Sequence, residues 1–341
     1  MDWKSLTFSY TKTNTMLCTF YRNGAWTPVE SRTDDTLALS AFAGALHYGI
    51  ECFEGLKAFR GKDGKVRLFR PEENALRLRR SAEFLGIEAP SVEVFVELCN
   101  QAVRENIEFL PPYESRASLY LRPTLIGCNP QLGVASSAES MFMVLCSPVG
   151  AYTGGNLEPV NCVIARNYDR AAPHGTGSHK VGGNYATSLY SLNIAHKQGY
   201  KAVLYVTPDQ RDHIDEFNSS NFFAIKGNSY ITPKSGSILP SITNKSLEEA
   251  AAYLGMTVER RPVAIAELAD FAEVGECGTA VVITPVSHLD DKPFLESEEV
   301  TRYTYVEDGC GPKSQKLYDF ITGIQYAEID DPLGWNVEVE L

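Results

Sequence analysis

The segment Gly175–Tyr185, GTGSHKVGGNY, sets Lys180 among four glycines at 175, 177, 182 and 183. Glycine lets backbone approach a ligand closely. A lysine buried there and made nucleophilic could form a Schiff base with a carbonyl cofactor. The same composition also marks a surface loop carrying a solvated lysine. His179 reads as a loop or packing residue, because no second His or carboxylate stands at metal spacing, and no metal is expected. Downstream, Asp215-Glu216-Phe217-Asn218-Ser219-Ser220-Asn221-Phe222-Phe223 gathers acids and amides before an apolar run. It is either a solvated hairpin turn or a carboxylate at the lip of a buried strand, able to pair with a protonated heterocyclic nitrogen. Ser235-Gly236-Ser237-Ile238-Leu239-Pro240-Ser241-Ile242-Thr243 is small and hydroxyl-rich just before a helix. Backbone N–H groups at such a place can cradle phosphate, although helix caps look similar. Gly278-Thr279-Ala280 is a small-residue turn before a strand, and Arg70 and Arg122 each end a strand-like run and precede proline. Together these features point to a phosphate-bearing aldehyde cofactor.

Such residues need a scaffold. The 341 residues predict two domains. Hydrophobic residues at 44% and charged residues at 22% are ordinary globular usage, and 26 Gly with 18 Pro exclude a collagenous or low-complexity chain. A net charge of −12 argues against a nucleic-acid groove. The eight cysteines include no C-x-x-C pair, so neither a zinc site nor a disulfide framework is expected and a reducing cytoplasm fits. The first residues lack a signal core, and the longest apolar run, near Met141–Cys146, is far short of the roughly 18 residues that span a bilayer. The expectation is a soluble protein without a membrane or nucleic-acid partner.

Strand-like runs stand at Leu56–Arg60, Val66–Phe69, Ser118–Leu125 and Met141–Ser147, then at Val160–Ala165, Ala202–Thr207, Phe222–Lys226 and Ala280–Ile283. Pro71 opens a helix that repeats Ala75, Leu78, Ala82 and Leu85 until Gly86, and Ser91 opens another. A third helix is expected over Tyr185–Lys197. A fourth ends before Gly255; it opens at Ser241, at Thr243 or at the capping-box pattern Ser246-x-x-Glu249. The fold class is therefore α+β. A small N-terminal domain over 1–148 and a larger C-terminal domain over 161–341 are joined by the loop 149–160.

Phe53-Glu54-Gly55-Leu56-Lys57-Ala58-Phe59, Tyr120-Leu121-Arg122-Pro123, Val149-Gly150-Ala151-Tyr152, Lys180-Val181-Gly182-Gly183-Asn184-Tyr185 and Gly278-Thr279-Ala280 run in order along the chain. Ile324-Gln325-Tyr326 and Gly334-Trp335 follow. With these motifs the chain resembles a branched-chain amino-acid aminotransferase, of the two-domain fold type IV class that uses pyridoxal 5′-phosphate. The resemblance implies that Lys180 binds the cofactor covalently and moves the proton. It also implies that Tyr185 meets the ring hydroxyl and that Glu216 pairs with the pyridine nitrogen. Arg70, Ser237, Ile238 and Thr279 would hold the phosphate, with Arg170 on the cofactor side. Tyr120 with Thr279 and Ala280 would bind the α-carboxylate, and Arg122 the second carboxylate of 2-oxoglutarate. Phe53 and Tyr152 would wall an apolar pocket, with Tyr48, Leu132 and Val134 reaching across from a second subunit in a homodimer or higher homo-oligomer. The implied activity is transfer of the amino group of L-leucine, L-isoleucine or L-valine to 2-oxoglutarate. A D-amino-acid transaminase, an aminodeoxychorismate-type lyase and a non-catalytic dimer are the alternatives. Animal members carry C-x-x-C after the Gly-Thr-Ala turn. Here Ala280-Val281-Val282-Ile283-Thr284 follows, so thiol regulation is not expected.

Overall fold

Strands of β-branched and aliphatic residues dominate both halves of the chain, and a few capped helices cover them. The computed structural model describes residues 1–3, 5–150 and 157–341. Its contacts divide the chain into two units. The first comprises Met1–Gly154, His179–Gly182 and Gly323–Leu341; the second comprises Gly155–Ser178 and Gly183–Thr322.

In the first unit the elements run β1 (Met16–Arg22), β2 (Ala25–Trp26), β3 (Glu30–Arg32), α1 (Gly44–Tyr48), β4 (Glu51–Phe53), β5 (Leu56–Arg60), β6 (Val66–Phe69), α2 (Pro71–Leu85), α3 (Val92–Glu105), β7 (Ser118–Gly127) and β8 (Ser140–Val149). The sheet is antiparallel, in the order Asn336–Glu338, β6, β5, β7, β8, β1, β2, with β3 beside β1 and β4 beside β7. Side chains alternate across a strand. Leu119, Leu121 and Leu125 of β7 therefore enter the core with α2 and α3, and Tyr120 and Arg122 lie on the other face. Arg122 stands in the middle of a ten-residue strand, not at a strand end as its proline neighbour suggested.

Helix α2 starts as its sequence dictates. Pro71 is its first residue, and Arg70 before it takes a left-handed φ of 52°, a conformation that is uncommon outside glycine. Ala75, Leu78 and Ala82 are buried, and Gly86 closes the helix in the left-handed region. Ser91 caps α3 by accepting the Val94 N–H at 3.3 Å.

The second unit contains β9 (Val160–Ala165), α4 (Gly182–Lys197), β10 (Ala202–Val206), β11 (Ile214–Phe217), β12 (Asn221–Lys226), β13 (Ser229–Pro233), α5 (Ile242–Tyr253), β14 (Thr257–Arg261), β15 (Glu273–Gly278), β16 (Val282–Lys292), β17 (Thr301–Thr304) and α6 (Pro312–Gln325). Its sheet runs β11-β10-β9-β16-β15-β12-β13-β14, with β17 on β16, and mixes parallel with antiparallel neighbours. Phe217, Phe222, Leu204 and Val286 are among its core residues.

Three details differ from the sequence-based expectations, and the structure selects one of the three helix starts left open for α5. Helix α4 begins at Gly182, three residues early. Helix α5 is capped by Ser241, whose hydroxyl accepts the Asn244 N–H at 3.1 Å, whereas Ser246 is interior and bonds back to the Ile242 carbonyl. Strand β16 starts at Val282, because Thr279–Val281 form the turn. Lys180 packs with the first unit rather than with the C-terminal domain, since Val181 bridges to Cys52 and Phe53 holds the Lys180 carbonyl. Tyr152 and much of the 149–160 loop lie outside the described residues. Among the described residues no helix is long and apolar enough to cross a membrane, and no metal-binding group of His, Cys, Asp and Glu occurs.

Candidate active site

In the first unit Lys180 is held at both ends of its peptide. Its N–H donates to Ser81 Oγ at 2.9 Å, and its carbonyl accepts the Phe53 N–H at 3.1 Å. The half-buried side chain carries Nζ to 4.7 Å from the centre of the Phe53 ring. Arg122 approaches the same ring, with Cζ 4.9 Å from its centre, and donates from Nη2 to Tyr120 Oη at 3.2 Å. Lysine, arginine, phenol and one aromatic wall thus share a patch. Gly55 makes room for it, because a Cβ there would collide with the Tyr120 hydroxyl. Phe8 meets the Tyr120 ring edge-on at 5.0 Å. A cavity of about 300 Å³ borders the Tyr120 and Arg122 side of this patch, lined also by Phe8, Tyr10, Lys12 and Cys146, and neither Lys180 nor Phe53 lines it.

Glu51 sits behind the lysine segment. Its Oε1 accepts the Gly182 N–H at 2.5 Å, and a Cβ on Gly182 would collide with that oxygen, which explains the glycine. Burial pushes this carboxyl above its usual range, against the pull of the Gly182 N–H and the Arg122 charge. Desolvation pushes His179 down. Its ring stacks on Phe84 at 4.2 Å, the packing role expected of it. Arg70 is buried, lies over Trp335 with Cζ 5.5 Å from the ring centre, and its N–H donates to the Trp335 carbonyl.

In the second unit residues 218–220 bend between β11 and β12 with Ser219 exposed, so part of the acidic cluster is a turn, but its acids stand on the buried strand β11, where Glu216 is 3% exposed. Its carboxylate takes Arg170, the Leu239 N–H at 2.8 Å and Asn221 Nδ2 at 3.0 Å. Arg170 also donates to the Ser237 carbonyl at 3.0 Å. The neighbouring Asp215 accepts from Ser235 and Ser237, and burial raises its carboxyl. Glu216, Arg170 and Ser237 therefore share one buried polar cluster, and Ile238, also buried, lies between Ser237 and Leu239 in the chain. Tyr185 lies in the first turn of α4. Asn184 ties that turn to the glycine-rich loop through Thr176, with hydrogen bonds of 2.7 Å in each direction. Thr279 and Ala280 form the tight turn between β15 and β16. There Val282 takes a φ of 64°, a strained conformation for a β-branched residue.

Tyr48, Leu132 and Val134 form a separate exposed group in the first unit, where the Tyr48 hydroxyl donates to the Leu132 carbonyl. Leu132 and Val134 are 78% and 82% exposed. The sequence reading missed Glu54, Asn74, Arg77 and Ser81, a buried polar group beneath Lys180. Its signal was present: Asn74, Arg77 and Ser81 recur at helical spacing within the otherwise apolar face of α2.

The amino-transferase class IV family model matches residues 51–289. A branched-chain-amino-acid aminotransferase of Haemophilus influenzae is 45% identical over 100% of this chain and 99% of that protein. One of Helicobacter pylori is 44% identical over 99% of this chain and 98% of that protein. The crystal structure of the Escherichia coli branched-chain amino acid aminotransferase superposes with a TM-score of 0.77 at 27% identity, covering 96% of this chain and 100% of that one. That of the T.th. enzyme with pyridoxamine 5′-phosphate gives a TM-score of 0.78 at 25% identity, covering 97% and 100%. With a family model across most of its length and full-length relatives of this similarity, the chain belongs to the class IV amino-transferases, in the branched-chain aminotransferase family.

Proposed function

We propose that this aminotransferase exchanges the amino group of L-leucine, L-isoleucine or L-valine reversibly with 2-oxoglutarate, using pyridoxal 5′-phosphate. The observation that carries the reading is the shared patch of Lys180, Phe53, Tyr120 and Arg122, a nucleophilic amine beside an apolar wall and two carboxylate donors. The names of the relatives supply the substrate class. Pyridoxal phosphate is supported by the solved relative that holds pyridoxamine 5′-phosphate. The donor set fits such a group. Among the described residues, the buried Nε atoms of Arg122 and Arg170 lack a hydrogen-bond partner, so each has capacity for an anion. Glu216 is a buried carboxylate fixed by three donors, suited to a protonated ring nitrogen.

When bound, the cofactor would supply a carbonyl that captures amines and a ring that draws electrons from the substrate α-carbon. The protein's residues do the rest. Lys180 Nζ anchors the cofactor, then takes the α-proton and returns it to the cofactor side. Tyr185 hydrogen-bonds the ring hydroxyl, and Arg70, Ser237, Ile238 and Thr279 hold the phosphate. Tyr120, with the backbone of Thr279 and Ala280, receives the α-carboxylate. Phe53 presents the apolar wall to an aliphatic side chain, and Arg122 meets the distal carboxylate of 2-oxoglutarate. An arginine on one edge of an apolar wall lets one pocket take both, provided that the guanidinium stays hydrated when unused. Tyr48, Leu132 and Val134 complete the pocket of a second copy in a homodimer. The scattered spacing of the eight cysteines supports a reducing compartment, the cytoplasm.

The test is a coupled assay with L-leucine and 2-oxoglutarate beside Lys180→Ala. Glutamate from the native protein, with loss of at least about a thousandfold in the variant, is the expected result. A cofactor-loaded native protein that makes no glutamate from any branched-chain substrate overturns the substrate assignment. Turnover by Lys180→Ala at the native rate overturns the role of the lysine.

A further inference from the structure

Beneath Lys180 lies a buried ion pair that touches neither substrate nor cofactor in the reading above. Glu54, at the corner between β4 and β5, is fully buried, and Arg77 of α2 is buried at 4% exposure. They meet through two parallel bonds, Arg77 Nε to Glu54 Oε1 at 2.8 Å and Nη2 to Oε2 at 2.7 Å. Asn74 Nδ2 adds a bond to Glu54 Oε2 at 2.8 Å and another to the Gly55 carbonyl at 3.1 Å. The Gly55 N–H returns to the same carboxylate at 3.2 Å, and the Glu54 N–H donates to the Pro123 carbonyl at 2.7 Å.

The two ends of this pair adjoin the two groups that hold Lys180. Phe53, next to Glu54, donates its N–H to the Lys180 carbonyl. Ser81, one turn beyond Arg77, accepts the Lys180 N–H and donates its own proton to the Arg77 carbonyl at 3.1 Å. The lysine peptide is thus clamped between a strand corner and a helix, and the Glu54–Arg77 pair ties those two jaws together. A fork-to-fork arginine–carboxylate pair fixes both distance and orientation, and a displacement of about 1 Å at a reacting group can cost about a hundredfold in rate.

We infer that Glu54 and Arg77 are positioning residues that set where Lys180 delivers its amine, with Ser81 as the contact through which α2 does so. This rests on Lys180 being the cofactor lysine. Removing one partner would leave a buried charge uncompensated and confound the result, whereas replacing both with apolar side chains is often tolerated. The test therefore uses the double variant Glu54→Met/Arg77→Met, loaded with pyridoxal 5′-phosphate. Thermal unfolding, steady-state kinetics and the pH midpoint of its visible absorbance are measured. If the pair acts through Lys180, a variant that unfolds near the native temperature shows kcat down at least about tenfold. KM for L-leucine stays within about twofold, and the absorbance midpoint shifts, since that midpoint reads the lysine–cofactor linkage itself. A folded variant with native kcat and native midpoint overturns the inference. Should the double variant fail to fold, Ser81→Ala and Ser81→Thr decide. Loss of kcat in the first with recovery in the second supports positioning, and native kcat in Ser81→Ala overturns it. A coloured, active Lys180→Ala protein would instead sink the underlying reading, which keeps the two failures apart.

Discussion

Lys57 shows how one residue can be read from its strand partners. On β5 it lies opposite Tyr120 of β7, while its neighbours Leu56 and Ala58 pair with Leu121 and Leu119 in the core. Desolvation pushes its ammonium from the ordinary 10.5 down to about 8. The folded state thus disfavours the charged form, and the sign of the pH effect follows. Below pH 8 both folded and unfolded chains carry the proton, and the full cost of the buried charge is felt. Between pH 8 and 10.5 only the unfolded chain still holds it, so stability rises with pH; above 10.5 the cost is gone. Lys57→Met, similar in length and uncharged, is expected to stabilise the protein by about 1–2 kcal/mol at pH 7 once residual solvent contact is discounted. The gap to the native protein should close as pH approaches 10.5. Urea unfolding at pH 7, 8.5 and 10.5 checks this, and a gap independent of pH would assign the effect to packing alone.

Among the elements, those with strong local signals were legible in the sequence. Leu56–Arg60, Val66–Phe69 and Val160–Ala165 form strands over the spans their composition indicated, and α2 runs from Pro71 to the residue before Gly86. The cap of α3 was equally plain. Ser91→Ala is expected to cost about 1 kcal/mol, read as a lower midpoint in thermal or urea unfolding with unchanged kcat. Elements fixed by tertiary contacts were not legible. β16, eleven residues with a proline and no clean alternation, is buried on both faces between β9 and β15, so period-2 patterning had nothing to report. Ser246-x-x-Glu249 mimicked a cap because short hydroxyl side chains also bond back inside helices. The site divides the same way. Lys180 was marked by its glycines, and Glu216 by the acids before an apolar strand. The pairing of Glu54 with Arg77, 23 residues apart, depends on how β4 and α2 pack, and only the helical spacing of the polar residues on α2 hinted at it.

For the whole molecule, the exposed apolar residues of the first unit favour a second copy of the chain. Phe42, Leu46 and Tyr48 are exposed on and beside α1, and Leu132 and Val134 on the loop after β7. Hydrogen bonds fasten this loop to the α1 region, from the Gln131 N–H to the Phe42 carbonyl and from Tyr48 to the Leu132 carbonyl. Large apolar side chains clustered this way and left in water mark an interface. An ordered loop at such a place is presented to a partner with little entropy left to lose. In the proposed homodimer Tyr48, Leu132 and Val134 would border the pocket of the neighbouring copy, which would couple assembly to catalysis. Leu132→Asp/Val134→Asp should therefore convert a particle of twice 37.6 kDa into one of 37.6 kDa in sedimentation velocity. Activity at low protein concentration should fall at least about tenfold, because each buried carboxylate opposes association by several kcal/mol. Raising the protein concentration should recover part of that activity by mass action. A double variant that sediments as a dimer with native activity would place the interface elsewhere on the chain. A native protein that already sediments at 37.6 kDa while fully active would show that each pocket is complete within one copy.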